Sequence, residues 1–163
     1  MALADPTVDV IGADVHTPGV AASLVRIDEL GLSNVRLLHG DALVFCGRLR
    51  PASLDAIRIF FPDPWPKARH RHRRITTAER VDRFADLLAP GGTLHVATDI
   101  DDYADTTRRA CDQHPGLEGG VVERPAWRPQ TRYERKGLAA GHSTTDLLYT
   151  HVAQGARHHA RRD

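Results

Sequence analysis

A chain of 163 residues, 41% apolar and 26% charged, has the length and composition of one folded domain, which excludes a wholly disordered polypeptide. The formal net charge is +1, yet Lys67 to Arg74 alone holds five Lys and Arg and no acid, so the rest of the chain is net acidic at −4. Basicity is therefore a local docking patch and not a property of the whole surface. No window approaches the ~18 apolar residues of a membrane helix, and Met1 to Pro6 has neither the cationic start nor the apolar run of a secretory leader, so the expected location is cytoplasmic. Cys46 and Cys111 have no metal or disulfide spacing and read as small apolar residues on helices.

In chain order, Val8 to Val15 reads as a mostly apolar strand with Asp14 near its end. Thr17 and Pro18 suit the N-cap and first turn of a helix whose face is Val20, Leu24, Ile27 and Leu30, stopped by Gly31. Asn34 to Leu38 is a second strand, followed by Gly40-Asp41-Ala42 and a short helix through Leu49; Leu54 to Phe61 is a third strand. Thr76 with Glu79 predicts a capping box for a helix carrying Val81, Phe84, Leu87 and Leu88, ended by Pro90-Gly91-Gly92. Thr93 to Thr98 is a fourth strand running into Asp99, and Asp101 or Asp102 opens a helix to about Gln113. Leu117 to Glu123 is a strand, Arg124 to Arg135 a proline-interrupted loop with Trp127 and Tyr133, and Thr145 to Val152 a last strand. Residues 1–153 are expected to form one domain, with 154–163 a basic flexible tail.

Strand and helix alternate four times, which predicts an α/β fold with a parallel sheet covered on both faces. Ligands of such sheets lie at the carboxyl ends of the strands, where Asp14, Asp41, Asp63 and Asp99 all fall.

The most informative stretch is Ile57 to Arg74. The apolar run Ile57 to Phe61 meets prolines at 62, 64 and 66, which end the strand and stiffen the turn that holds Asp63 and Trp65. A carboxylate can accept hydrogen bonds from N1 and N2 of guanine, tryptophan can stack on a base, and the cations that follow can meet phosphates. His70, His72, His158 and His159 stand beside arginines with no acid between them, so they read as phosphate contacts or solvated residues and not as metal ligands.

The run Phe60-Phe61-Pro62-Asp63-Pro64-Trp65-Pro66-Lys67 resembles the bacterial tRNA (guanine-N7)-methyltransferase family. So do Gly12 to Gly19, Gly40-Asp41-Ala42, Arg69 to Arg74, Pro90-Gly91-Gly92, Ala97-Thr98-Asp99 and Thr131 to Gly137, so the likeness covers roughly residues 8 to 150. The resemblance implies a Rossmann-like S-adenosylmethionine-dependent methyltransferase fold, tRNA as partner and S-adenosylmethionine as cofactor; no metal or membrane partner is expected, and a monomer is favoured while the sequence does not fix the oligomeric state. It implies Asp63 as catalytic and cofactor residue and Asp14 and Asp41 as cofactor residues, Asp14 standing where the family usually has glutamate. Lys67, Asp99, Thr131, Arg132, Tyr133 and Glu134 match substrate-binding positions; Arg69, His70, Arg71, His72, Arg73 and Arg74 match the RNA-contacting block. The family's opening strand and glycine-rich loop have no counterpart here, which predicts an N-terminally truncated domain lacking the central strand between Val8–Val15 and Leu54–Phe61. A noncatalytic RNA-binding remnant is the alternative, separated by cofactor affinity. A nicotinamide oxidoreductase fits less well, since no glycine fingerprint is present and the basic block would go unused.

Overall fold

The structure, a computed structural model, describes residues 1–152, with the backbone alone for Arg132. The basic tail from Gln154, with His158 and His159, lies outside the described residues. The chain forms two compact units, one of Met1–Leu49 with Trp127–Pro129, the other of Arg50–Ala126 with the chain from Gln130 onward.

In the first unit, strands β1 (Val10–Asp14) and β2 (Val35–His39) pair in parallel from Val10↔Val35 to Asp14↔His39. Parallel neighbours need a crossover, and helix α1 (Thr17–Glu29) makes it. The cap is His16, one residue before the expected Thr17: its Nδ1 accepts from the Gly19 N–H at 3.2 Å, while the Thr17 hydroxyl lies 3.2 Å from His39 Nε2. The far end is the expected glycine stop. Gly31 takes φ 60°, and the N–H groups of Gly31 and Leu32 donate to the carbonyls of Asp28 and Ile27, the paired bonds of a Schellman motif. Asn34 is the buried polar post of this unit: its Nδ2 lies 3.2, 3.1 and 2.8 Å from the carbonyls of Ala2, Asp5 and Val8 and so ties down the first residues of the chain. Of the expected apolar face, Val20, Ile27 and Leu30 are half-buried and Leu24 is exposed. The short helix α2 (Ala42–Cys46) stops before the expected Leu49.

The second unit holds the core. Its strands β3 (Leu54–Phe60), β4 (Leu88–Thr98), β5 (Leu117–Val122) and β6 (Thr145–His151) form one sheet in the order β3-β4-β6-β5. Helix α3 (Ala78–Leu87) links β3 to its parallel neighbour β4, and α4 (Asp101–Gln113) links β4 to β5. The expected all-parallel sheet is corrected here, because β6 runs antiparallel to both β4 and β5. The β4–α4–β5 crossover leaves a slot one strand wide, and a chain returning in the opposite direction fills it without a second crossover. Among the described residues β1 pairs with β2 alone, and β3 pairs with β4 alone.

Leu94 to Thr98 of β4 are all buried, as a strand covered on both faces requires. Val81, Phe84 and Leu87 of α3 and Leu147 and Tyr149 of β6 complete the core, each side chain contributing about 1.5–3 kcal/mol on burial. Cys111 is buried with them, which pushes its thiol pKa up to about 12, whereas Cys46 is half-buried. Two expected boundaries move. Pro90-Gly91-Gly92 lies inside β4, where the pairing jumps from Leu54↔Leu88 to Ala56↔Thr93. A side chain at Gly92 would begin 2.8 Å from the Ala89 carbonyl oxygen, so the bulge admits only glycine. The Thr76–Glu79 capping box does not form: Thr77 is the cap of α3, and the Thr76 hydroxyl is 2.6 Å from that of Thr107 in the interior.

One polar pair crosses this core. His95 and Asp146 are diagonal neighbours on β4 and β6, and His95 Nε2 lies 2.7 Å from Asp146 Oδ1 with both side chains at 2% exposure or less. Removing one partner takes from the other a 2.7 Å contact in an interior closed to water. Asp146→Ala is therefore expected to cost about 3–5 kcal/mol in thermal unfolding, and His95→Leu combined with Asp146→Leu to recover most of that loss. A double variant no more stable than Asp146→Ala would show that the pair's mutual contact is not what its loss disrupts.

Candidate functional site

In the first unit, the parallel strands deliver Asp14 and Asp41 to the same rim. Asp14 ends β1, its Oδ1 accepts from the His16 N–H at 2.8 Å, and its carbonyl accepts from the Gly40 N–H at 3.0 Å. Asp41 caps α2 by accepting from the Leu43 N–H at 2.7 Å. Each carboxylate is exposed and spends one oxygen on its own turn, leaving the other with no hydrogen bond among the described residues.

In the second unit, the carboxyl ends of β3 and β4 carry the remaining candidates. Past β3, Pro62-Asp63-Pro64 is bracketed by Phe61 at φ 51° and Trp65 at φ 41°, left-handed conformations that non-glycine residues hold only where surroundings enforce them. The Phe61 N–H donates to the Ala97 carbonyl at 2.8 Å and keeps the turn on the sheet. Asp63 and Lys67 are exposed, and neither side chain has a hydrogen bond or ion pair among the described residues. Arg73 lies over one face of Trp65, 4.9 Å from its centroid, and His70 makes a T-shaped contact with the ring, 6.0 Å between centroids, so a base has at most one face left for stacking.

The basic block folds as a 3₁₀ turn over Ala68–Arg73, and one of its arginines faces inward. Arg74 is 3% exposed. Its guanidinium donates to the Pro64 carbonyl (3.1 Å), the Asp102 carbonyl (3.3 Å), the Thr106 hydroxyl (2.9 Å) and Asp102 Oδ2 (2.6 Å), and it lies over the Tyr103 ring. Arg71 takes the other oxygen of Asp102 at 2.9 Å. The hydrogen bond from Arg74, opposed by some burial and aided by the charges of Arg74, Arg71 and Arg109, holds the Asp102 carboxyl below its ordinary pKa. A lowered carboxylate pKa means that the clamp is complete at neutral pH and is lost only as acid takes the pH down through that value. Thus Arg74, expected among the RNA contacts, is a loop anchor with no exposed donor face, whereas Arg69, Arg71, His72 and Arg73 are exposed and His70 is half-buried.

The expected loop Arg124 to Arg135 is corrected as well: helix α5 (Arg132–Ala139) begins inside it. The signal was legible, since Thr131 and Glu134 have capping-box spacing. The Thr131 hydroxyl accepts from the Glu134 N–H at 3.0 Å, and Glu134 Oε2 accepts from the Thr131 N–H at 3.3 Å. Glu134 is buried in that role, and Tyr133 points outward. The Tyr133 hydroxyl donates to Asp99 Oδ2 at 3.2 Å while its ring packs on Phe61, 5.3 Å between centroids. His142, which sequence reasoning missed, places Nδ1 3.7 Å from the same Asp99 oxygen. Asp99 and Tyr133 are thereby brought together beside the proline turn.

The family described as putative methyltransferase matches residues 1–147. Proteins named tRNA (guanine-N(7)-)-methyltransferase are similar throughout. That of Nocardioides sp. is 52% identical over 91% of this chain and 60% of its own length; that of Nitrosospira multiformis is 43% identical over 91% and 67%; and that of Streptomyces avermitilis is 42% identical over 97% and 57%. The chain thus spans roughly 60% of the length of these curated relatives. Among solved structures, an rRNA methylase from Streptococcus thermophilus has a TM-score of 0.61 at 15% identity, covering 89% of this chain and 74% of its own. A SAM-dependent O-methyltransferase from Thermotoga maritima scores 0.56 at 15% identity, over 90% and 51%. The fold is that of these methyltransferases.

Two outcomes test the geometry. The charge of Asp99, with smaller contributions from burial and their hydrogen bond, holds the Tyr133 phenol above its ordinary pKa, and Asp99→Asn should return it toward ~10 in an ultraviolet titration. Tyr133→Phe identifies the band by removing it. Arg74→Met should lower the melting temperature by roughly 5–10 °C, because it leaves the Pro64 carbonyl and Asp102 without their shared donor. A change under ~1 °C would mean that the anchor carries no stability.

Proposed function

The chain belongs to the putative methyltransferase family, and on that footing we propose that it transfers a methyl group from S-adenosylmethionine to N7 of a guanine in tRNA, in the variable loop. The observation that carries this reading is the free carboxylate of Asp63, fixed between two prolines and two left-handed residues and followed by the exposed Lys67 and the basic turn.

The residues present fit the cofactor by the chemistry of their acceptors. Asp14 and Asp41 each keep one carboxylate oxygen for a hydroxyl or amino donor, as a nucleoside requires. When bound, the cofactor supplies an electrophilic methyl group on a sulfonium. Guanine N7 has an in-plane lone pair and no proton to lose, so what the protein must provide is in-line placement and not a strong base. Asp63, the residue assigned to both cofactor contact and catalysis, orients the base through its N1 and N2 donors and stabilises the positive charge that develops on the purine. Lys67, Asp99 and the Thr131 to Glu134 turn are assigned to the substrate; in that turn Tyr133 presents the polar group, and Thr131 and Glu134 hold its helix. Arg69, His70, Arg71, His72 and Arg73 are assigned to the RNA backbone. Among the described residues no helix is long and apolar enough to cross a membrane, and no group of three or more His, Cys, Asp or Glu could hold a metal ion. A cytoplasmic monomer is part of the same proposal.

Asp63→Ala separates catalysis from binding. Methyl incorporation into unmodified tRNA should fall by at least ~100-fold, the scale of losing an electrostatic stabiliser, while tRNA affinity stays within about twofold. Undiminished turnover would exclude the assigned role. Titration calorimetry of the wild-type chain with S-adenosylmethionine supplies the other arm, since a chain that binds tRNA and no cofactor would be an RNA-binding protein and not an enzyme.

A further inference from the structure

Away from the proline turn, the second unit has an open cleft of about 430 Å³ between the basic turn, the start of α3 and one face of α4. Helix α4 builds its wall by periodicity. Thr106, Arg109 and Gln113 fall at i, i+3 and i+7 and share a face that lines the cleft, with Asp102 one turn earlier and outside the lining, while Tyr103, Thr107 and Cys111 point into the core. Arg71 and His72 line the opposite side.

Charge does not balance there. Three guanidinium groups, those of Arg71, Arg74 and Arg109, surround the one carboxylate of Asp102, which is fully engaged by Arg71 and Arg74. Arg109 is exposed and has no ion pair among the described residues, and no acid lines the cleft. Thr77, on the α3 side, makes no side-chain capping bond, so its hydroxyl is also available. An excess of fixed cations with spare donors, in a concavity of ligand size, calls for an anion.

We propose that this cleft seats a backbone phosphate of bound RNA, with Arg109 as its principal donor and Gln113, Thr77 and His72 around it. The inference rests on the RNA-binding reading above and extends it to a second contact, one that the local run of basic sequence does not reveal. Arg109 lies 35 residues beyond Arg74 in the chain and reaches the same patch only through the fold.

The test is the salt dependence of tRNA binding, followed by fluorescence anisotropy from 50 to 300 mM potassium chloride. Wild type, Arg109→Ala, Gln113→Glu and a control with Arg69→Ala and Arg73→Ala are compared, with folding checked by circular dichroism. Arg109→Ala should weaken binding by roughly threefold to tenfold and reduce the slope of log K against log salt by about 0.7–0.9, the loss of one phosphate contact. Gln113→Glu should weaken binding without removing a cation. Unchanged affinity in both cleft variants overturns the proposal, as does a loss of affinity in Arg109→Ala with no change of slope. If the control loses binding and the cleft variants do not, the cleft alone is refuted; if wild type itself binds no tRNA, the RNA reading fails with it.

Discussion

The buried guanidinium of Arg74 is the constraint on which the functional half of this molecule depends. A turn with three prolines cannot form a ladder with its neighbours, because each proline lacks the N–H that a strand would use. Its carbonyls still need donors, and Arg74 supplies one to Pro64 while binding Asp102 and Thr106 of α4. An uncompensated guanidinium would not be tolerated in the interior, so carboxylate, carbonyls, hydroxyl and the Tyr103 ring converge on it. One interaction thereby fixes the turn that carries Asp63, the end of the basic block and the wall of the neighbouring cleft.

The sheet beneath supplies rigidity of a different kind. Strand β4 is buried on both faces, so its end has little freedom, and Asp99 leaves it at a defined place. From there Tyr133 and Phe61 form a polar and an aromatic contact that join α5 to the proline turn. The backbone outliers at Phe61 and Trp65 sit in this same short stretch, as expected where a packed scaffold holds a loop in a geometry it would not adopt alone. Asp63 is then left as a carboxylate with no structural duty, in contrast to Asp99 and Asp102, which are engaged.

The distribution of charge follows from this division of work. Of the cations in the block, Arg74 is consumed by the fold, Arg71 is shared with Asp102 and Arg73 covers Trp65. What remains outward is a smaller positive surface than the composition of Lys67 to Arg74 suggests, and Arg109 adds to it from another element.

Much of this was written in local sequence. Strand–helix alternation, the glycine stop after α1, the proline turn and the aspartates at strand ends depend on near neighbours, and residues such as Gly31 and Pro62 act through their own backbone limits. The Thr131–Glu134 capping signal was equally local, and was obscured by the prolines and tryptophan before it. Tertiary structure alone decided the antiparallel entry of β6, the pairing of His95 with Asp146, the inward turn of Arg74 and the arrival of His142 at Asp99. Each of these joins residues far apart in the chain, and periodicity reports which face of an element is apolar but not which distant polar group will meet it. A cation in sequence is only a charge; whether it is spent on a buried carboxylate or left for a ligand is settled when its neighbours are packed around it.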